Sequence, residues 1–377
     1  MSTTPYKLGF IGGALNSAAG YAHFVASQMD GLWDLQAGVF SRDASINHKT
    51  AEVFGVSRER VYTNITEFLE TERENLDAIA ILTPTPLHFE MTRACLNANM
   101  PVICEKSLSM TSKEARKIKQ LCDEKNSFLT VIYNYSGYPM VREMRQLIRD
   151  GVLGDIIHFQ VEMPQEGFVR TDDQGKKAIP QDWRQKDGPI PTIHLDLAIH
   201  QHELIHYLTG LTPLEVVADQ SSKGWFDVID NVMCLCRYTK NVQGQVWFSK
   251  SALGHRNGLR LRIYGTKASV EWRQINPDEM LLSHINGRRE IVDRGSNVKV
   301  ASAKRYSRFK AGHPAGFNEA LANIYVDIHT ALYNYRETGQ QESEEVFGAS
   351  LSVEGMLWLE AMVRSSETGR WEKVQNL

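Results

Sequence analysis

The sequence contains no run of about 18 apolar residues, the length that a helix needs to span a bilayer. It also lacks basic clusters, internal repeats and low-complexity tracts, and its formal net charge is −3. These absences exclude a membrane-spanning helix and argue against a nucleic-acid-binding surface. The first residues, MSTTPYK, have no apolar core of a signal peptide. We therefore expect a cytoplasmic protein with neither a membrane nor a nucleic acid as its partner.

Cysteine is scarce, with five residues in a chain of 377. Cys234 and Cys236 share one face of an alternating run, but no second C-x-C or C-x-x-C pair follows to complete a metal site. We therefore expect buried, reduced thiols and no bound metal ion.

What the first 135 residues do contain is a regular alternation of apolar and amphipathic segments. The apolar runs predict buried strands at Leu8–Ile11, Leu35–Phe40, Ala78–Leu82, Val102–Cys104 and Phe128–Ile132. The segments between and after them predict helices at Tyr21–Met29, His48–Phe54, Ile65–Thr71, His88–Asn97 and Ser112–Lys125. This alternation is typical of a parallel, doubly wound α/β sheet, which binds ligands at the carboxyl ends of its strands.

The remaining residues, 136–377, follow a different pattern. After a helix at Met140–Arg149, several strand-like segments alternate polar and apolar residues, which predicts an antiparallel sheet with one covered face. The predicted strands are Ile156–Glu162, Glu215–Asp219, Val232–Tyr238, Gln243–Phe248, Leu259–Tyr264, Ser269–Trp272, Met280–Ser283 and Glu290–Val292. Two helices near Gly316–Tyr335 and Val346–Ser365 end the pattern, and the polar stretch 164–191 is expected to be a functional loop. We therefore expect two domains, 1–135 and 136–377.

The first predicted strand runs into a turn of small residues, Gly12, Gly13 and Ala14, and a helix is expected to begin near Asn16 and Ser17. A dinucleotide requires such a turn, because its pyrophosphate contacts backbone and the N–H groups at a helix start. The match to G-x-G-x-x-G is imperfect because the next glycine is Gly20. A glycine turn that simply enters a helix therefore remains open as the alternative.

Three further strand ends carry polar residues. Ser41-Arg42-Asp43 follows the second strand, where Arg42 suits a 2′-phosphate and Asp43 a ribose hydroxyl, so NADP is favoured and NAD stays open. Thr83-Pro84-Thr85-Pro86-Leu87-His88 follows the third and offers two hydroxyls in a stiff turn. Glu105-Lys106-Ser107 follows the fourth, where the ammonium could donate to a substrate oxygen or form a surface ion pair.

A histidine-rich segment lies in the second domain. Asp196 and His200 are four residues apart, a spacing that lets a carboxylate orient an imidazole for proton transfer. His202-Glu203-Leu204-Ile205-His206 in the same segment matches H-E-x-x-H, the helix motif of zinc hydrolases. A zinc hydrolase is the remote alternative, because it would leave the glycine turn unexplained.

Together, these motifs resemble the Gfo/Idh/MocA family (glucose–fructose oxidoreductase, inositol dehydrogenase, MocA). The N-terminal part carries the glycine turn, the Thr83–His88 motif and Glu105-Lys106-Ser107, which is similar to the family's E-K-P. The C-terminal part carries Trp183-Arg184, Asp196-Leu-Ala-Ile-His200, which is similar to D-x-G-x-H, and Tyr264-Gly-Thr-Lys267. The resemblance covers most of the chain.

The resemblance implies an N-terminal NAD(P)-binding Rossmann domain. It implies a C-terminal α+β domain with a large, open, mostly antiparallel sheet for substrate binding and oligomerisation as a homodimer or homotetramer. The implied activity is reversible NAD(P)-dependent oxidation of a secondary hydroxyl on a sugar, cyclitol or related polyol. The alternative within this fold is a non-catalytic NAD(P)-binding protein.

The resemblance also implies roles for individual residues. Lys106 would bind the reacting hydroxyl, His200 would be the general acid/base, and Asp196 would orient or share its proton, so that Lys106 and His200 are expected to act on one carbinol. The residues implied for the cofactor are Gly12, Gly13, Ala14, Asn16, Ser17, Ser41, Arg42, Thr83, Pro84, Thr85, His88 and Glu105. Those implied for the substrate, besides Lys106 and His200, are Asn134, Tyr135 and Arg184.

This chain departs from the family pattern at three positions. Ser107 replaces the proline of E-K-P, Ala198 replaces the glycine between Asp196 and His200, and Ala14 stands where glycine is usual. The first and third changes bear on the geometry of the cofactor site, whereas Lys106, Asp196 and His200 remain in place.

Overall fold

The computed structural model describes residues 4–17 and 19–375. The chain divides into two compact units, the first of residues 1–137 and 317–353 and the second of residues 138–316 and 354–377. The first boundary falls two residues beyond the position predicted from the sequence, and 317–353 joins the first unit although the sequence pattern assigns it to the second domain. Within the described ranges, no helix has the length and apolar character needed to cross a bilayer.

The first unit is built on a five-stranded parallel sheet with the strand order β2-β1-β3-β4-β5, a Rossmann-type arrangement as predicted. Its strands are β1 Tyr6–Gly12, β2 Trp33–Val39, β3 Ala78–Leu82, β4 Val102–Glu105 and β5 Leu129–Ile132. The helices between and after them are α1 Gly20–Gln28, α2 Ala44–Phe54, α3 Ile65–Glu72, α4 His88–Asn97 and α5 Ser112–Lys125. All residues of β3 and β5 are buried, because helices cover both faces of such a sheet.

The second unit contains a nine-stranded sheet in which β6 and β9 are parallel and all other neighbours are antiparallel. Before and within it lie the helices α6 Pro139–Arg149 and α7 Ile199–Thr209. The strands are β6 Ile156–Pro164, β7 Pro213–Ser221, β8 Asn231–Tyr238, β9 Val242–Ser249, β10 Arg260–Gly265, β11 Ala268–Arg273, β12 Glu279–His284, β13 Arg289–Asp293 and β14 Glu372–Lys373. Burial alternates strictly along β8, which confirms that one face of this sheet is covered.

Two long helices end the chain, α8 Phe317–Thr338 and α9 Ala349–Thr368. The apolar face of α8 belongs to the core of the first unit: Leu321, Ile324, Tyr325 and Ile328 are buried in the same cluster as the β1 residues Leu8 and Phe10. Contacts between segments far apart in the chain therefore place α8 in the first unit, and the helix pattern by itself carries no such information.

The expected functional loop, 164–191, contains only a short 3₁₀ turn at Asp182–Gln185 and one isolated bridge between Thr171 and Lys177. Asp187 closes the loop, because its carboxylate accepts hydrogen bonds from the backbone N–H groups of Thr192 (2.9 Å) and Ile229 (2.7 Å). The segment that follows is a π-helical turn, His194–Ala198, which leads directly into α7. Such turns occur often at functional sites.

His194 opens this π-helical turn and has an exposure of 0%. Its ring lies edge-on to Phe248, with 5.1 Å between the ring centroids, and neither ring nitrogen has a hydrogen-bond partner in the part of the chain that the structure describes. Burial lowers the pKa of His194 to about 3. The native protein thus holds a neutral imidazole that gains a proton more readily when the chain unfolds.

We expect His194→Phe to reduce the loss of stability in acid. Since the native pKa lies near 3 and the ordinary value is 6.5, the wild type loses stability as the pH falls below 6.5. At pH 5, protonation of His194 in the unfolded chain lowers the free energy of unfolding by about 2 kcal/mol. Urea unfolding at pH 7 and pH 5 measures the effect as a smaller difference between the two free energies of unfolding. His48→Gln, at an exposed position, is the control, and an equal pH dependence of His194→Phe and wild type contradicts the prediction.

Candidate active site

The turn after β1 brings backbone, without side chains, to the carboxyl edge of the parallel sheet. Gly12 and Gly13 have φ angles of +81° and +74°, in the left-handed region that favours glycine. A Cβ at Gly12 would lie 2.8 Å from the backbone nitrogen of Thr83. Both positions therefore require glycine for conformation as well as for space.

Helix α1 begins at Gly20, so the expectation of a helix start near Asn16 and Ser17 is wrong. The reason is the close packing of Gly20 on the glycine turn, where a Cβ would lie 2.0 Å from the carbonyl oxygen of Gly13. Asn16 and Ser17 lie in the turn that precedes the helix. Ala14 is buried at 4% exposure in the core of the unit, so this residue can offer a ligand only its backbone.

Two side chains hold the turn in place. The Ser17 hydroxyl accepts a hydrogen bond from the backbone N–H of Gly20 (2.8 Å), and the Thr50 hydroxyl accepts one from Leu15 (3.3 Å). The turn is thus fixed to α1 at one end and to α2 in the middle.

The carboxyl edge of this sheet fits a dinucleotide. The Thr83 hydroxyl oxygen and the Asn134 amide nitrogen, which follow β3 and β5, are buried and have no hydrogen-bond partner within the residues described. The glycine turn after β1 and the N-terminal end of α1 lie at the same edge of this sheet. Polar atoms and backbone amides in this arrangement suit a ligand rich in oxygen atoms.

The loop after β2 separates two residues that could face a ribose. Asp43 is the N-cap of α2, and its carboxylate accepts a hydrogen bond from the Ile46 backbone N–H (2.9 Å). The Ser41 hydroxyl accepts one from the Asp43 backbone N–H (3.1 Å). Arg42 is exposed between them. Asp43 thus has a capping role, whereas the charge of Arg42 remains at the strand end.

His88 joins two neighbouring strand ends. It begins α4 and is 1% exposed, and its ring nitrogens lie 2.7 Å from the Thr83 carbonyl oxygen and 2.6 Å from that of Ser107. Burial lowers the pKa of His88 in spite of these carbonyls. Both nitrogens face backbone, so this imidazole connects the loops after β3 and β4. Pro84 is exposed in the first of these loops, and Thr85 is buried in its 3₁₀ turn.

Glu105, directly before Lys106, belongs to a buried hydrogen-bond chain. His23 of α1 lies 2.8 Å from a carboxylate oxygen of Glu105, and its other ring nitrogen lies 2.9 Å from the Tyr325 hydroxyl of α8. The other Glu105 oxygen accepts a hydrogen bond from the Lys106 backbone N–H (3.0 Å). Burial alone would raise the pKa of Glu105, but the hydrogen bond and charge of His23 and the nearby Lys106 bring it below its ordinary value. Glu105 is therefore a carboxylate with a fixed orientation, and not one half of a solvated surface pair.

In the second unit, the carboxylate of Asp196 is paired with two cations. One of its oxygens, Oδ2, accepts a hydrogen bond from Lys250 Nζ (2.5 Å) and another from the Arg184 guanidinium. The Arg184 guanidinium also stacks on Trp183, 4.6 Å from the ring centroid. Asp196 and His200 are 9% and 5% exposed. Ala198, between them, is completely buried, so its methyl group packs in the core.

The structure places the predicted residues in separate parts of the chain. Lys106, Asn134 and Tyr135 are in the first unit, where Asn134 and Tyr135 form a buried 3₁₀ turn after β5. Asp196, His200 and Arg184 are in the second. The Lys106–Ser107 peptide bond is cis.

The sequence patterns missed three residues of these clusters: His23, Tyr325 and Lys250. Lys250 follows β9 directly, so its position at a strand end is the only local signal. His23 and Tyr325 lie inside helices and are 302 residues apart, so no short motif contains both.

The H-E-x-x-H segment forms an acid–imidazole contact. His202 Nε2 and His206 Nδ1 lie 3.1 Å and 3.8 Å from the same oxygen of Glu354 on α9. Burial raises and His202 lowers the pKa of Glu354, and the net direction is downward. Across residues 4–17 and 19–375, no group of three or more His, Cys, Asp or Glu side chains is arranged to hold a metal ion. All five cysteines are free thiols, four of them buried and Cys122 half-buried.

Comparison with known proteins agrees with both units. Residues 7–133 match the model of an oxidoreductase family with an NAD-binding Rossmann fold, and residues 141–271 match the GFO/IDH/MocA C-terminal domain. The uncharacterised oxidoreductase YfiI of Bacillus subtilis is 30% identical over 381 residues, which cover 97% of this chain and 95% of YfiI. The chain belongs to the Gfo/Idh/MocA family. It is an oxidoreductase with an NAD-binding Rossmann domain.

Two other proteins similar to this Gfo/Idh/MocA chain have names that specify a ligand or substrate. An inositol dehydrogenase homologue from Azotobacter vinelandii, solved with NADH and myo-inositol, has a TM-score of 0.89 and 26% identity, with 98% of each chain covered. A levoglucosan dehydrogenase from Pseudarthrobacter phenanthrenivorans is 26% identical over 230 residues, which cover 55% of this chain and 57% of that enzyme.

We expect Gly20→Ala to weaken binding of the nicotinamide nucleotide. The added Cβ would overlap the Gly13 carbonyl and move α1 away from the glycine turn. Overpacking of this kind costs enough to raise the dissociation constant by about tenfold or more. Titration followed by the fluorescence of the reduced nucleotide measures this dissociation constant. Gly167→Ala is the matched control, because a Cβ there meets no atom within 4 Å. Wild-type affinity in Gly20→Ala would show that α1 need not touch the turn.

Proposed function

We propose that this oxidoreductase reversibly oxidises a secondary hydroxyl group of a sugar or cyclitol with NAD(P). The observation that carries the proposal is the glycine turn at the end of β1 (Gly12 and Gly13), with Lys106 following β4 at the same edge of the sheet. The ligands named for the relatives, myo-inositol and levoglucosan, support the substrate class. Polar residues in the loop 164–191 suit a substrate that carries several hydroxyl groups.

The residues of the first unit hold the cofactor and bind the reacting oxygen. The backbone of Gly12, Gly13 and the α1 N-terminus would hold the pyrophosphate, and Thr83 and Asn134 offer polar atoms that have no hydrogen-bond partner among residues 4–17 and 19–375. When bound, the nicotinamide supplies the hydride acceptor or donor. The Lys106 ammonium donates a hydrogen bond to the reacting oxygen. The backbone of Lys106 is held in place because its N–H donates a hydrogen bond to the Glu105 carboxylate.

The residues of the second unit move the proton. His200 accepts the hydroxyl proton during oxidation and returns it during reduction. Asp196, held by Lys250 and Arg184, keeps a negative charge on the turn that precedes His200 and stabilises the imidazolium that forms. Arg184, Asn134 and Tyr135 are the proposed contacts to the other hydroxyls of the substrate.

We propose NADP as the preferred nucleotide. The support is the loop after β2, where Asp43 caps α2 and Arg42 is exposed at the strand end. An acidic residue that accepts a hydrogen bond from the ribose 2′-OH is typical of an NAD site, whereas a cation suits the 2′-phosphate of NADP.

We also propose that two or four copies of the chain associate through the open sheet of the second unit. The exposed face of β8 carries Met233 and Leu235, which are 58% and 51% exposed. Adjacent apolar side chains on an exposed face suit contact with the same face of another copy.

Lys106→Ala and His200→Ala should each lower kcat by roughly 100-fold or more and leave nucleotide binding intact, because each removes a proton donor or acceptor without touching the glycine turn. Reduction of NAD⁺ and NADP⁺ is followed by the absorbance of the reduced nucleotide on a panel of sugars and cyclitols that includes myo-inositol. If both groups act on one hydroxyl, the double variant is no slower than the slower single variant.

The controls for these substitutions are Lys49→Ala and His158→Ala, both at exposed positions. Near wild-type turnover in either active-site variant would reject the assigned role. Nucleotide binding without turnover of any panel member by the wild type would favour the non-catalytic alternative.

Arg42→Ala should raise the dissociation constant of NADPH by about tenfold and change that of NADH little, since only NADPH carries the 2′-phosphate. Equilibrium titration with both nucleotides measures the two constants. Arg58→Ala, another exposed arginine of this unit, is the control. Equal effects on both nucleotides would remove the preference for NADP.

A further inference from the structure

Lys250 is an uncommon residue in the second unit, because its charged end lies in the protein interior. The side chain is 9% exposed, and its ammonium lies 5.2 Å from the ring centroid of Phe168 and 2.5 Å from Asp196 Oδ2. A lysine is buried in this way only when its charge is compensated, and here Asp196 supplies the opposite charge.

The backbone of Lys250 is fixed on both sides. Its N–H donates to the carbonyl of Asp230 (2.7 Å), and its own carbonyl accepts a hydrogen bond from Phe168 (2.8 Å). The Asp230 carboxylate, in turn, accepts hydrogen bonds from the Lys223 backbone N–H (2.9 Å) and the Ser251 hydroxyl (3.0 Å). The Lys250 side chain is therefore attached to a fixed backbone position at the end of β9.

The two cations on Asp196 differ in their surroundings. Arg184 comes from the loop 164–191, and its side chain is 24% exposed, whereas Lys250 comes from the sheet and is mostly shielded from water. An ion pair shielded from water interacts more strongly than an exposed one, and the loss of one partner leaves an uncompensated charge. Of these two cations, Lys250 therefore restricts the orientation of the Asp196 carboxylate more strongly.

We propose that Lys250 is a positioning residue that acts through Asp196: it holds the carboxylate in one orientation on the π-helical turn that precedes His200. This inference rests on the proposed function, because it gives a purpose to the placement of Asp196 only if Asp196 assists proton transfer. It adds to the proton-transfer site a residue from the end of β9 that no motif of the sequence indicates.

Lys250→Met tests the inference, since methionine has a similar length and no charge. We expect kcat on the best substrate of the sugar and cyclitol panel to fall by about tenfold or more, with little change in KM and in the nucleotide dissociation constant. Lys250→Arg keeps the charge and should recover part of kcat. Lys304→Met, at an exposed lysine of the same unit, is the control and should behave as the wild type.

A double-mutant cycle decides whether Lys250 acts through Asp196. In the Asp196→Asn background, Lys250→Met should cause no further loss of kcat. If Lys250→Met does not fold, Lys250→Arg replaces it in the cycle, with a smaller loss in the wild-type background and none beside Asp196→Asn. The losses multiply if Lys250 acts independently, and that result overturns the inference, as does a rise in KM with kcat unchanged.

The failure of the proposed function has a different signature. In that case the wild type itself turns over no member of the panel with either nucleotide. An active wild type with multiplying losses rejects the role of Lys250 alone.

Discussion

Close backbone packing between the turn after β1 and the start of α1 is the constraint on which the nucleotide-binding unit depends. Gly20 can rest on the Gly13 carbonyl only because no Cβ separates them. Gly12 and Gly13 adopt left-handed backbone conformations that turn the chain directly at the sheet edge. This packing brings the N–H groups at the start of α1 to the edge where the other strands end, so the dinucleotide site follows from three missing side chains.

Two acidic residues, Glu105 and Asp196, are each held by partners from distant parts of the chain. Glu105 is held by His23 from α1, and Asp196 is held by Lys250 from the end of β9 and by Arg184 from a loop. Each acid lies next to, or one helical turn before, a residue assigned to the chemistry. A buried carboxylate without such partners would tend to take up a proton. The partners therefore fix the orientation of both acids, and His23 together with Lys106 keeps the pKa of Glu105 below its ordinary value.

Local signals in the sequence were sufficient for much of the architecture. Buried apolar runs such as Ala78–Leu82 mark the parallel strands, and strict alternation in Asn231–Tyr238 marks the half-covered sheet. The helix predicted at Tyr21–Met29 agrees with α1 to within one residue, but the expected helix entry near Asn16 and Ser17 is wrong, because the start of α1 depends on the contact between Gly20 and Gly13. The assignment of α8 to the first unit depends on contacts such as the hydrogen bond from the Trp33 indole to the Tyr325 carbonyl (3.0 Å), which no sequence window contains.

The sequence by itself determined the alternation of strands and helices in the first unit, eight of the nine strands of the second sheet, the strand ends that carry polar residues, and the candidates Lys106, Asp196 and His200, whereas β14 and α7 were not predicted. Periodicity and turn chemistry act over a few residues, so a sequence displays them directly. Only the tertiary structure decided the partners of these residues. His23 meets Glu105 across 82 residues and Lys250 meets Asp196 across 54, and such pairs form only after the sheets and helices have packed.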